Sequence, residues 1–302
     1  METERKYLAK AFLDLPQPKH QVQCQYVWID GTLKNLRCKS ITLGTIPRNP
    51  KELPIMEFCG SGTDYEAGNI ADIYAKPVKI HKDPFRGGDN RIIFCETYTR
   101  EGLPTFANNR HRLYTTEEKI QRSWKRSVCQ SYSLLRSDGK PLSYMNAAYE
   151  PTSKSGFRCG WEIAEAHYRA CLYAGVHISS MEPIRNTGQW KYTVGSCSPV
   201  ALGDDVWMSR FILIRVAEDF GVTVSFDTAP SSILFEPIHI EVIFNTEEIG
   251  QQDRKKLIDG LFAKFVTKEQ SLKVVTLPNR VLLDHINADA DPYSIINKTM
   301  DC

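Results

Sequence analysis

The sequence has no apolar run of about 18 residues, which is the length that a membrane-spanning helix needs. Its start, Met1 to Lys19, mixes charged residues with short apolar steps and lacks the continuous apolar segment of a signal peptide. A strong charge excess is also missing, because 38 Lys and Arg face 36 Asp and Glu. These absences predict a cytoplasmic protein that binds neither a membrane nor nucleic acid.

Paired cysteine motifs and phosphate-binding loops are missing too. The nine cysteines are odd in number and include no CxxC pair, which favours reduced, buried thiols over disulfides or a zinc knuckle. No GxxxxGK[ST] loop and no internal repeat occur. What is present is 42% hydrophobic and 25% charged residues in a chain of 302, enough for one large or two smaller domains with a substantial core.

The N-terminal third carries strand signals. Apolar residues alternate with glutamines from Gln21 to Asp30, and the turn residues Asp30-Gly31 then predict a hairpin with a second strand over Leu36 to Leu43. A further strand is predicted from Arg91 to Thr97, after a region rich in glycine and proline. We expect an N-terminal segment, 1–19, followed by a small β-rich domain over residues 20–107.

Helix and strand signals alternate in residues 108–302 and predict an α+β domain. The capping-box pair Thr115 and Glu118 predicts a helix toward Lys125, and Asp204 before an apolar stretch predicts a helix start. The remaining predicted helices are Trp161 to Ala174, Val206 to Phe220 and Lys255 to Val266. The predicted strands are Val128 to Leu135, Gln189 to Val194, Val222 to Phe226, Ile238 to Phe244 and Leu272 to Leu277.

A set of segments shares one resemblance. The longest is the run from Glu165 to Gly175, and the others are Tyr26 to Thr32, Leu36 to Ser40, Asp83 to Arg86, Gln189-Trp190, Gly203 to Leu213, Glu218 to Val222 and Asp291 to Ser294. Together they resemble eukaryotic glutamine synthetases, and the chain is identified as a divergent, shortened member of that family. The resemblance implies a β-grasp-like small domain and a catalytic-like α+β domain shortened between Phe265 and Val281.

The resemblance also implies a chemistry. Members of the family phosphorylate the glutamate side chain with ATP and let ammonia attack it, and they use Mg²⁺ or Mn²⁺ held by carboxylates to neutralise the transferring phosphoryl group. In this sequence, Cys129 and Ser131 stand where the first motif has glutamates. Ile184 and Lys191 stand at the glutamate positions of the second motif. The resemblance therefore implies that Mg²⁺ or Mn²⁺ and ATP lose their ligands.

Other positions depart from the family in the same way. Cys59 replaces the aspartate that helps to deprotonate ammonium, and a neutral thiol is a poor acceptor for that proton. Glu241 stands at the histidine of a glycine-rich motif. Near the C-terminus, Leu282 matches a metal-binding glutamate and His285 an arginine.

These departures predict an inactive glutamine synthetase homologue, a pseudoenzyme that serves as a structural, scaffold or assembly protein. Its partners would be copies of itself, active paralogues or a larger cytoskeletal or cellular assembly. The family forms rings, and Trp28 with the segment Asp83 to Arg86 is compatible with one. Two alternatives stay open: residual ligase or nucleotide-binding activity, and a new metal or acid/base site built from Glu236, His239 and Glu241.

Overall fold

A computed structural model of the chain describes residues 12–60, 65, 72–119, 125–142, 159–184, 188–227, 238–245, 251–261, 272–277, 280–285 and 289–300. These residues form a mixed α+β structure with two sheets, as the sequence predicted. A short 3₁₀ turn spans Pro50–Glu52, where the Asn49 side chain accepts a hydrogen bond from the backbone N of Lys51.

The first sheet has five strands in the order β2-β1-β5-β4-β3. The predicted hairpin is confirmed, because β1 and β2 pair antiparallel with Gln25 opposite Ser40. Strand β5 lies parallel to β1 on its other side. The strands are β1 (Val22–Ile29), β2 (Leu36–Leu43), β3 (Met56–Cys59), β4 (Asp72–Lys82) and β5 (Arg91–Tyr98).

Strand β1 differs from its predicted half-exposed pattern, because its second half is buried on both faces. Tyr26 and Trp28 belong to a small apolar core on one side of the sheet. Val27 and Ile29 point the other way and join the main core of the molecule. Being an inner strand between β2 and β5, β1 is covered on both faces, which removes the alternation expected of a half-exposed strand.

The second sheet has seven strands in the order β11-β12-β10-β6-β8-β7, with β9 also paired to β6. Every pairing in it is antiparallel. The predicted alternation in β10 is confirmed, since Ile240, Val242 and Phe244 are fully buried. The strands are β6 (Arg126–Leu135), β7 (Ile178–Ile184), β8 (Gln189–Cys197), β9 (Thr223–Ser225), β10 (Ile240–Asn245), β11 (Leu272–Leu277) and β12 (Arg280–His285).

Five helices pack with these sheets in the part of the chain that the structure describes. They are α1 (Asn109–Lys119), α2 (Trp161–Ala174), α3 (Pro199–Asp219), α4 (Gln251–Leu261) and α5 (Pro292–Lys298). The bounds of α2 agree with the prediction, including its left-handed C-cap at Gly175. Helix α4 begins earlier than predicted, and the predicted extension past Leu261 lies outside the described residues.

Two predicted helix starts were wrong. Helix α1 begins at Asn109, so Thr115 lies inside it, and its hydroxyl donates to the backbone O of Arg112 at 2.9 Å. The cap is Asn108, whose Oδ1 accepts from the backbone N of His111 at 3.0 Å. Helix α3 begins at Pro199, which places Asp204 in the helix body and fully inside the protein.

Two distant matched segments, Gly203 to Leu213 and Asp291 to Ser294, meet in the core. A Cβ atom at Gly203 would lie 2.3 Å from the ring of Tyr293, so only glycine fits there. The Tyr293 hydroxyl donates to Asp204, which also accepts from Arg110 Nε at 2.7 Å. Asp291 accepts from Trp207 Nε1 at 3.0 Å. These contacts tie α1, α3 and α5 together.

Candidate functional site

The sheet register brings four of the predicted site residues together. Cys129 and Ser131 lie on β6, with Glu241 of β10 opposite Cys129 and Lys191 of β8 opposite Ser131. Directly opposed residues in antiparallel strands point to the same face of a sheet. This face, named here the site face, turns away from the main core. Cys129 and Ser131 are buried at its centre, while Lys191 and Glu241 are half-buried at its edges.

Ile184 and Leu282 extend the site face. Ile184 pairs with Gln189, two residues from Lys191, and Leu282 pairs with Ile243, two residues from Glu241, so the period of two keeps both on this face. His285 is out of phase with Leu282, because the register places it opposite Ile240. Cys59 lies far along the chain on β3 of the other sheet, where it is exposed.

Along β6, the residues that resemble the family motif and those that differ from it point to opposite faces of the sheet. Gln130 and Tyr132, which the family motif retains, point into the main core. The side chain of Gln130 accepts from Arg210 Nη2 at 2.6 Å, and the ring of Tyr132 lies 6.0 Å from that of Tyr192. Cys129 and Ser131, at which the resemblance implies replacements, alternate with them and lie on the site face. Substitutions at these two positions therefore leave the main core unchanged.

A positively charged side chain, that of Lys191, lies on the site face. Lys191 Nζ lies 3.0 Å from Glu182 Oε1 on the neighbouring strand β7. Partial burial lowers the pKa of Lys191, but the hydrogen bond that its ammonium group donates to Glu182, together with the nearby Cys129, Glu182 and Glu241, raises the pKa overall. The ammonium group is therefore fully charged near neutral pH. Glu182 could not be identified from the sequence, because its position depends on β7, a strand that we did not predict.

The thiol of Cys129 is neutral in this setting. Burial, followed by the negative charge of Glu241, raises its pKa to about 12. A protonated thiol is a poor nucleophile. His239 Nε2 lies 3.7 Å from Glu241 Oε1, so the two residues suggested for a new site do approach each other. The third residue of that hypothesis, Glu236, lies outside the described residues.

The site face does not fit Mg²⁺ or Mn²⁺. These ions need near-octahedral coordination by oxygen, usually with two or more carboxylates close together. Here, Glu182 is engaged by Lys191, and Lys191, Cys129 and Ile184 supply no anionic oxygen. An ammonium group repels a divalent cation at close range. In the described part of the chain, the matched site position that carries a carboxylate is that of Glu241, where the resemblance implies a histidine in the family.

The chain is similar in sequence to glutamine synthetases from several animals. A glutamine synthetase from dog is 34% identical over 275 residues, covering 88% of this chain and 73% of that protein. The chain belongs to the glutamine synthetase family. The human glutamine synthetase matches with the same identity and coverage.

The chain also shares its fold with a solved glutamine synthetase. It spans less than two thirds of the length of one insect relative. Against "Glutamine synthetase 2 cytoplasmic" of Drosophila melanogaster, identity is 39% over 235 residues, covering 74% of this chain and 63% of that protein. A cryo-EM structure of Plasmodium falciparum glutamine synthetase superposes with a TM-score of 0.67 at 8% identity, covering 98% of this chain and 74% of that one. No family model matches. No helix that the structure describes has the length and apolarity of a membrane span.

Proposed function

We propose that this glutamine synthetase family member lacks glutamate-ammonia ligase activity and serves as a protein-binding or assembly component in the cytoplasm. The observation that carries the proposal is the Lys191–Glu182 ion pair on the site face, 3.0 Å between Nζ and Oε1. It puts a positive charge at a position that the family resemblance assigns to a metal-binding glutamate. Removing several ligands from one metal site abolishes phosphoryl transfer rather than slowing it.

The retained segments support a structural role, because their residues serve packing. His167, in the longest matched run, is buried, and its Nε2 lies 3.1 Å from the backbone O of Ser209. Asp83 caps a turn through the backbone N atoms of Phe85 and Arg86, at 2.9 and 3.1 Å. Trp28 stacks on Phe58 with ring centroids 4.4 Å apart. These contacts account for the retention of the motifs without any catalytic function.

Large apolar side chains exposed on α2, on α3 and directly after α3 support protein binding. Helices α2 and α3 contact each other and expose several large apolar side chains, which commonly mark interaction sites. These side chains are Trp161, Leu172, Tyr173, Ile214 and Phe220. The division into an N-terminal segment 1–19, a small domain 20–107 and a large domain 108–302 is part of the same proposal. So is self-assembly, or assembly with active paralogues.

The activity test is glutamine formation by the purified chain from glutamate, ammonium and ATP, with Mg²⁺ or Mn²⁺. We expect no turnover above the no-enzyme control, with an active glutamine synthetase measured in parallel. A matched variant carrying Cys129→Glu, Ser131→Glu, Ile184→Glu and Lys191→Glu should bind Mn²⁺ more tightly than the wild type in calorimetry. ATP-dependent turnover by the wild-type chain would disprove the loss of activity.

The assembly test is light scattering after size-exclusion chromatography, alone and mixed with an active paralogue. Self-assembly would give a mass that is a multiple of the 34.4 kDa chain, and heteromeric assembly would shift the paralogue's peak. Leu172→Glu with Tyr173→Glu should reduce either assembly, because both side chains are exposed and their change spares the core. Ile55→Glu, exposed on the small domain, is the control. A monomer that binds neither itself nor any protein in affinity purification would refute this part.

A further inference from the structure

A cluster of three potential ligands lies away from the site face. His177 follows α2, Cys197 ends β8, and Asp205 lies in the body of α3. One ligand atom from each lies within 4.8 Å of the other two, and within the described ranges this is the one group of at least three His, Cys, Asp or Glu residues that meets that distance. Three separate elements thus converge on one point.

Asp205 organises the cluster from inside the protein. Its carboxylate is fully buried. His177 Nδ1 lies 2.6 Å from Asp205 Oδ2, and the backbone N of His177 donates to the same oxygen at 3.3 Å. The other oxygen, Oδ1, lies 2.5 Å from the Nζ of Lys79 on β4. A buried carboxylate held on both oxygens keeps a fixed orientation, which a metal site requires.

Access to the cluster comes from the side of His177. Its side chain is 61% exposed, whereas Cys197 is half-buried beside Asp205. A metal ion can therefore enter from solvent and keep one water ligand. Tetrahedral zinc, with bonds of about 2.0 to 2.3 Å, places its ligand atoms roughly 3.5 Å apart. The ligand atoms all lie within 4.8 Å of one another, so the wider spacings need to shrink by about 1 Å, whereas His177 Nδ1 and Asp205 Oδ2, now 2.6 Å apart, need to separate by about 1 Å.

We propose that His177, Cys197 and Asp205 form a zinc-binding site that is separate from the family's catalytic position. A ring nitrogen of His177, the thiolate sulfur of Cys197 and Oδ2 of Asp205 would be the protein ligands, and water would be the fourth. Lys79 would stay on Oδ1 and orient the carboxylate, as outer partners of metal ligands do. The nitrogen, sulfur and oxygen donor set selects zinc over Mg²⁺ and Ca²⁺, which prefer oxygen alone.

Zinc binding at this site is coupled to release of a proton. Cys197 is protonated in the metal-free chain, because burial, followed by the charge of Asp205, raises its pKa to about 12. When the Zn–S bond forms, the S–H bond breaks and the proton passes to buffer, while the sulfur keeps the bonding pair. The positive charge of Lys79 opposes zinc binding. Because Lys79 stays on Oδ1 of Asp205, the ion must replace the contact between His177 Nδ1 and Asp205 Oδ2.

The test is calorimetric titration of Zn²⁺ into the full-length chain after chelator treatment, with native mass spectrometry for stoichiometry. We expect one zinc per chain, and an affinity at least roughly tenfold weaker in His177→Ala and in Cys197→Ser. Replacing zinc by Co²⁺ should give a thiolate-to-cobalt charge-transfer band that disappears in Cys197→Ser. The His177 side chain is mostly exposed, so its substitution leaves a folded protein to measure.

Matched controls use a cysteine and a histidine elsewhere on the surface. Cys38→Ser and His20→Asn should keep the wild-type affinity and the cobalt band, since both residues are exposed and lie outside the cluster. Absence of zinc binding in the wild type would overturn the proposal. So would an affinity that Cys197→Ser leaves unchanged, because the ion would then lie elsewhere. Neither result depends on whether the chain makes glutamine.

Discussion

Gly203 shows how one residue can be fixed by packing. Alanine is the better helix former by about 1 kcal/mol, so a solvent-facing helix position would gain from Gly203→Ala. The Tyr293 ring, 2.3 Å from the new Cβ, is buried and bonded to Asp204, so it cannot move aside. We expect the variant to lose roughly 1–3 kcal/mol of unfolding free energy in urea.

Gly44→Ala is the control for that measurement. No atom lies within 4 Å of the Cβ that it would add. Its unfolding free energy should stay within about 0.5 kcal/mol of the wild type. Equal stability of Gly203→Ala and the wild type would show that α3 and α5 are not in close contact at this position.

His81 predicts a pH dependence of stability. Burial, followed by the positive charge of Lys79, lowers its pKa to about 4, although Asp205 and Asp204 oppose the shift. The folded chain therefore holds the ring neutral while the unfolded chain protonates it near pH 6.5. Unfolding takes up a proton between these values, so stability is full above about pH 6.5 and falls as the pH drops toward 4.

The size of that loss is roughly 2–3 kcal/mol for His81 alone. Urea unfolding at a series of pH values should show a shallower slope between pH 6.5 and 4 in His81→Gln than in the wild type. The exposed His20→Gln should keep the wild-type slope. A slope that is the same in His81→Gln and the wild type would mean that the ring is not held neutral. His167, whose pKa burial also lowers to about 4, adds a second contribution that both proteins share.

At the scale of residues, the family resemblance assigned Cys129, Ser131, Lys191 and Glu241 to site positions, but it did not predict their contacts. Cys129, Ser131, Lys191 and Glu241 meet because their strands pair in register. The ion pair of Lys191 with Glu182 could not be predicted, since it depends on which strand lies beside β8.

At the scale of elements, two residues can be compared as the N-terminal cap of α1: Asn108, which caps the helix in the structure, and Thr115, which the sequence predicted. Asn108 accepts from the backbone N of His111, and its Nδ2 donates to the backbone O of Thr97 at 3.0 Å. Asn108→Ala should therefore cost about 1–2 kcal/mol in urea unfolding. Thr115→Ala, at the start that the sequence predicted, should change stability by less than about 0.5 kcal/mol, since it lies mid-helix. A larger loss of stability in Thr115→Ala than in Asn108→Ala would instead support the predicted helix start at Thr115.

Elements with a clear period were predicted, and those without one were missed. Strand β10 alternates cleanly, and α2 ends at a glycine, so both signals are local. Strand β4 contains Pro77 at an irregular step in its pairing with β5, and β7 contains Pro183 on an edge strand. A proline argues against predicting a strand from sequence alone. Both strands form because they pair with a neighbouring strand, which the sequence does not reveal.

At the scale of the whole molecule, the two sheets share one core. Phe94 of β5 is buried in the same apolar cluster as α3 and the second sheet. We therefore expect a single unfolding transition, seen alike by the fluorescence of tryptophans in both sheets and by far-UV circular dichroism. Phe94→Ala should lower the stability of the whole chain by about 3–5 kcal/mol and shift both signals together.

Ile55→Ala is the matched control, because Ile55 directly precedes β3 of the first sheet but is exposed. It should leave the melting temperature nearly unchanged. Two separate transitions, with only one moved by Phe94→Ala, would mean that residues 20–107 fold independently of residues 108–302.

The alternation along β6 has a consequence for how such proteins arise. After a gene duplicates, one copy can accumulate substitutions at Cys129 and Ser131 while Gln130 and Tyr132 continue to be selected for folding. Chemistry can then disappear in steps that each leave a stable protein. Alternation along one strand thus separates the side chains that the core needs, such as Gln130 and Tyr132, from neighbours such as Cys129 and Ser131 that can be exchanged without repacking it.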